Sequence, residues 1–135
     1  MEVLEVPAAV AARCDVLGLA FLARFYEVEL DRRPENLEAL MELGHVYTKL
    51  GRYAEGLAVD HRIVRACPKD ATAHYNLACS LALTGDSDGA FGALELAVEL
   101  GYGDLELLNT DADLEPLRSD PRFGPLVARI AAKPE

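Results

Sequence analysis

The chain has 135 residues, enough for one domain with a usable core, and 51% of them are apolar, so a packed fold is expected over disorder. The formal net charge is −10, with no Lys or Arg between Lys69 and Arg118; such an acidic field repels phosphate backbones, which excludes nucleic acid as a partner. No apolar run reaches the roughly 18 residues of a membrane span. Glu2 and Glu5 stand where a secretory signal carries basic residues, so the expected location is the cytoplasm.

In chain order, apolar residues recurring every three or four positions predict helices over about 7–17, 19–32, 36–50, 53–66, 70–84 and 87–100. Gly18, Gly51 and Gly85 end the first helix of each pair, where the turn needs a left-handed residue. Asn36, Asp70 and Ser87 are the expected N-caps, and Pro34 and Pro68 stand between units, where a helix has to stop. No alternating β-branched run suggests a strand.

The chain repeats itself. At an offset of 34 residues Leu43, Gly44, Tyr47, Gly51, Gly56 and Leu57 fall on Leu77, Ala78, Leu81, Gly85, Ala90 and Phe91, keeping small on small and large apolar on large apolar. A weaker upstream copy at an offset of 33 places Ala11, Cys14, Gly18 and Ala23 under Gly44, Tyr47, Gly51 and Gly56, with Pro7 where Leu40 would be. Packing explains the pattern: small residues sit where two antiparallel helices approach closely, and large ones fill the space around them.

The strings Leu40-x-x-Leu43-Gly44-x-x-Tyr47, then Gly56, then Pro68, and His74-x-x-Leu77-Ala78-x-x-Leu81, then Ala90-x-x-x-Leu94, resemble the tetratricopeptide repeat. Asp60 and Tyr102 depart from that pattern, where an aromatic and a second proline are usual. The resemblance implies an all-α fold: a right-handed superhelix of about three antiparallel helix pairs, with repeats at about 4–36, 37–70 and 71–104. It also implies a module that binds proteins.

After Gly101 the repeat stops. Asp111, Asp113, Leu114, Leu117, Arg118, Asp120, Pro121, Arg122 and Phe123 resemble the segment that follows the last repeat in many bacterial members of the family. Residues 105–132 are therefore expected to cap the array, with Leu105, Leu108, Leu114, Leu117, Phe123, Leu126 and Ile130 covering its apolar end. Asn109, Asp111, Asp113 and Glu115 alternate like the start of a calcium loop. Leu114 holds the place of the required glycine and Asp120 that of the bidentate glutamate, so Asp111, Asp113 and Asp120 are read as helix caps.

Signals for catalysis are weak. Cys14, Cys67 and Cys79 are odd in number and lack C-x-x-C spacing, which suits buried small side chains. No serine lies in a nucleophile elbow, and no phosphate-binding glycine loop appears. His74 takes a core position, and a Cys79–His45 hydrolase pair is the sole enzymatic alternative. No catalytic residue, cofactor or metal is expected.

What remains is a binding surface. The inward faces of the first helices carry Glu38, Met41, His45 and Thr48 in one repeat and Thr72, Tyr75, Cys79 and Ala82 in the next, with Arg13 and Asp15 near the N-terminal rim. These residues form the candidate partner groove. A chaperone-tail clamp is disfavoured, because Glu38 and Glu42 would meet the carboxylate. The expected partner is a protein or peptide with basic residues flanking an apolar anchor, or a second copy in a homodimer. The alternative reading is a regulatory or scaffolding part of a larger secretion or signalling machine, acting through self-association.

Overall fold

The computed structural model describes residues 8–132, with side chains described from residue 15 onward. Pro7 and the side chains of Ala11, Arg13 and Cys14, to which roles were assigned above, lie outside those described. All regular structure among the described residues is helical: α1 (Ala8–Arg32), α2 (Leu37–Lys49), α3 (Tyr53–Ala66), α4 (Ala71–Leu83), α5 (Ser87–Glu99), α6 (Leu105–Thr110), a 3-10 turn (Ala112–Leu114), α7 (Glu115–Arg118) and α8 (Phe123–Ala132). None of these helices is long and apolar enough to cross a membrane.

Each helix packs on the next, α1 on α2, α2 on α3, α3 on α4 and α4 on α5, and the tail folds back over the last pair. The turns are built as their glycines require. Gly51 and Gly85 have φ of +75° and +86°. After each, the next residue donates back across the turn, Arg52 to the Tyr47 carbonyl and Asp86 to that of Leu81, both at 2.9 Å. Asn36 and Asp70 cap α2 and α4 through the amides of Ala39 and Ala73. At α5 the cap is Asp86 and not Ser87, because the Asp86 carboxylate accepts from the Gly89 amide at 2.8 Å and leaves Ser87 inside the helix.

The first unit differs from its sequence reading. Gly18 forms no turn: α1 runs unbroken through it for 25 residues. A glycine inside a helix costs about 1 kcal/mol, a small penalty. Folding 8–17 back would bury chiefly alanine and valine, so little apolar area favours the hairpin. The observed array is therefore two complete pairs, preceded by one long helix whose second half, through Ala23, Tyr26 and Leu30, packs on α2.

Two apolar clusters result. One joins α1, α2 and α3 through Ala23, Leu30, Leu40, Leu43, Val46, Tyr47 and Val59. The other joins α4, α5 and the tail, where Leu108, Leu114 and Leu117 are fully buried and Phe123, Leu126 and Ile130 nearly so. The tail thus covers Phe91, Leu94 and Val98, the apolar end of the array. Arg122 pins it by lying 4.4 Å over the Phe91 ring while binding Asp88 and Asp120. Asp120 also accepts from the Arg122 amide, and Asp111 from that of Asp113. No such capping bond links the Asp113 side chain to α7.

Candidate functional site

The inner faces of α2 and α4 border a cavity of about 570 Å³, closed on its third side by the tail. Of the predicted groove residues, Met41, His45, Thr48, Thr72, Tyr75 and Cys79 line it. Met41, His45 and Thr72 are exposed. Thr48 is half-buried, and its hydroxyl donates to the Gly44 carbonyl at 3.1 Å. Glu38 is exposed outside the cavity, Ala82 is buried in the core beyond it, and Asp15 is exposed on α1.

Tyr75 lies deeper than its helix position suggests. It is 3% exposed. Its ring stacks on Tyr102 at 4.4 Å, and its hydroxyl donates to Asp111 Oδ2 at 2.6 Å. Burial and that bond hold the phenol well above its ordinary range. Cys79 also donates to Asp111 Oδ2, at 3.8 Å. Arg118 donates to the Asp111 main-chain carbonyl and fixes the loop. The 3-10 turn is therefore latched onto α4, and the C-terminal half of the groove is filled. The half against α2 stays open.

The residue that sequence reasoning noted without using is Asp60. It projects from α3 to the cavity wall, where Ser80 Oγ donates to it. Burial pushes its carboxyl up to about 6, and the Ser80 bond only partly offsets this. Glu42, Lys49, Asn76, Leu107 and Asp113 also line the cavity. Asp113 is raised by burial and by Asp111. The signal for Asp60 was its place in the repeat, an acid where the family has an aromatic.

Chemistry of other kinds finds little support. Cys79, Asp111 and Asp113 bring one ligand atom each within 4.8 Å of one another. Both Asp111 oxygens already accept hydrogen bonds, from Tyr75 and the Asp113 amide. Burial, then Asp111, pushes the Cys79 thiol far above its usual range, so it stays protonated and is a poor nucleophile. His74 is a satisfied core residue: its Nε2–H donates to the Pro68 carbonyl at 2.8 Å. His45 stays in the open half of the cavity.

No protein-family model matches the chain. Over 90 residues it is 33% identical to a chloroplastic protein of Arabidopsis thaliana, covering 64% of this chain and 27% of that protein. Over 72 residues it is 33% identical to the Protein CTR9 homolog of the same plant, covering 53% of this chain and 6% of that one. The chain thus matches only a small part of either curated relative. Among solved structures, a MamA fragment from Desulfovibrio magneticus RS-1 superimposes with a TM-score of 0.63, covering 93% of this chain and 73% of that one. A MamA double mutant of strain RS-1 gives 0.69, covering 90% and 68%. Both are 19% identical to this chain, so the likeness is one of fold: helix pairs stacked into a superhelix.

Proposed function

Because the chain folds into stacked helix pairs and its repeats resemble the tetratricopeptide repeat, we propose that it is an interaction module that holds a protein segment in the open half of its groove. The observation that carries this reading is the 570 Å³ cavity, with exposed Met41 and His45 on one wall and Glu42, Asp60 and Asp113 around them. Met41 is 56% exposed, a flexible thioether without the cover that an apolar side chain normally finds. An apolar anchor on the ligand fits against Met41 and Leu107, and a Lys or Arg beside it meets the acids. Tyr75 supports the floor from behind and is not itself the anchor.

The chain does this work without chemistry of its own. The protonated Cys79 and the engaged His74 both favour that reading.

A peptide array followed by fluorescence anisotropy tests the groove. Bound peptides should pair basic with apolar residues. Met41→Glu should weaken binding about tenfold or more, as loss of a central anchor does. Selection of acidic peptides, or unchanged binding by Met41→Glu, refutes the assignment.

A further inference from the structure

On α1, Leu17, Phe21, Phe25 and Val28 recur every three or four residues and so share one side of the helix. That side is opposite Ala23, Tyr26 and Leu30, which pack on α2. All four are exposed, Phe21 at 70% and Phe25 at 56%.

For Phe21, Phe25 and Val28 the repeat register shows that no further helix of the array covers them. At offsets of 33 and 34 residues, Phe21, Phe25 and Val28 fall on Ala54, Ala58 and His61, and these on Asp88, Gly92 and Glu95. All of those positions are exposed, although α3 has a neighbouring helix on both sides. They are the outer-face positions of the array. A turn at Gly18 or an added upstream repeat would leave the stripe bare. Two repeats fill these positions with small or polar residues, and the first fills them with phenylalanine and valine.

We infer that this stripe is the interface of a homodimer, in which α1 packs antiparallel on α1 of a second copy. The same patch serves both copies, as a two-fold axis requires, and Leu17 lies against Val28 of the second copy. The four side chains leave roughly 400 Å² open, the size of the largest apolar patch on a typical monomer, which is often a functional one. Pairing two copies, with Leu22 and the Arg24 stem at the rim, removes about 1,000 Å², the low end for a specific and reversible interface. Charge favours the same face. α1 holds three arginines against four acids, so nearly all of the net charge of −10 lies elsewhere, and this is where two copies meet with least repulsion. The face is separate from the groove and does not depend on what the groove binds.

Sedimentation velocity over a concentration series, at physiological salt, tests it. The parent chain should show a concentration-dependent dimer. Phe21→Glu and Phe25→Glu should each raise the dissociation constant about tenfold or more. Phe21→Leu should keep the dimer. Circular dichroism should match the parent in all three, since these side chains are exposed in the single chain. A chain that stays monomeric at every concentration overturns the proposal, including one that binds vesicles or another protein through Phe21 while monomeric. So does a dimer that survives both charged variants, or one that Met41→Glu dissociates instead.

Discussion

Asp60→Asn should stabilise the protein at neutral pH and hardly at all in acid. Burial raises the Asp60 carboxyl from 3.8 to about 6, so the folded chain binds this proton more tightly than the unfolded chain. The favourable term is complete below about pH 4 and is lost as pH rises through about 6. At roughly 1.4 kcal/mol per factor of ten in proton affinity, keeping Asp60 ionised at pH 7.5 costs about 3 kcal/mol at most. Residual solvent contact at the cavity wall reduces that to about 1–2 kcal/mol. Asparagine bears no charge and keeps an oxygen to accept from Ser80 Oγ. Urea unfolding of parent and variant at pH 4.5 and 7.5 isolates the effect, because every other carboxyl cancels in the comparison. The variant should be more stable by about 1–2 kcal/mol at pH 7.5 and by less than half of that at pH 4.5. Equal differences at the two pH values, or a destabilised variant at pH 7.5, would show that Asp60 is not held in a desolvated site.

Gly44→Leu should destabilise by about 1–3 kcal/mol in urea unfolding, because a Cβ there already meets Val59 Cγ1 at 3.3 Å and Asp60 Oδ1 at 3.5 Å. Ala78→Leu, at a fully buried position, should cost a similar amount. Gly56→Ala should be neutral or gain up to about 1 kcal/mol, since its added methyl meets Thr48 and Tyr47 at ordinary distances of 3.6 and 3.7 Å; a marked loss would contradict the helix packing. Leu117→Ala, in the tail, should cost about 2–5 kcal/mol. Removal of the tail from Gly103 onward should raise dye binding to Phe91, Leu94 and Val98, and an unchanged melting temperature would show that the tail is no cap.

The sequence made the helices legible from Leu37 to Glu99 because the glycine turns, the caps at Asn36 and Asp70 and the 34-residue packing pattern all agree there. It misled at Gly18, where the glycine is in register but the residues before it are too small to hold a hairpin closed. Half of the groove was legible for a similar reason. Met41 and His45 face inward by helix period alone, and nothing remote covers them. Tyr75 obeys the same period, but Asp111, 36 residues further on, reaches its hydroxyl. Periodicity carries no information about such a contact. The polarity of the cavity wall was half visible, as an acid at position 60 without its partner, Ser80.

The division of the interior into two apolar clusters has a consequence for how the protein comes apart. The N-terminal cluster rests on fewer large side chains, and the other is braced by the tail. In a linear stack each unit is stabilised by its immediate neighbours. In the unpaired chain, backbone amides of α1 and α2 should therefore exchange with solvent deuterons well before those of α4 and α5, through openings that leave the C-terminal half intact. A protease acting on the native protein would trim it from the α1 end and leave a helical remnant from α4 to α8. A ligand that spans α2 and α4 would slow those N-terminal openings and tie exchange in α2 to that in α4.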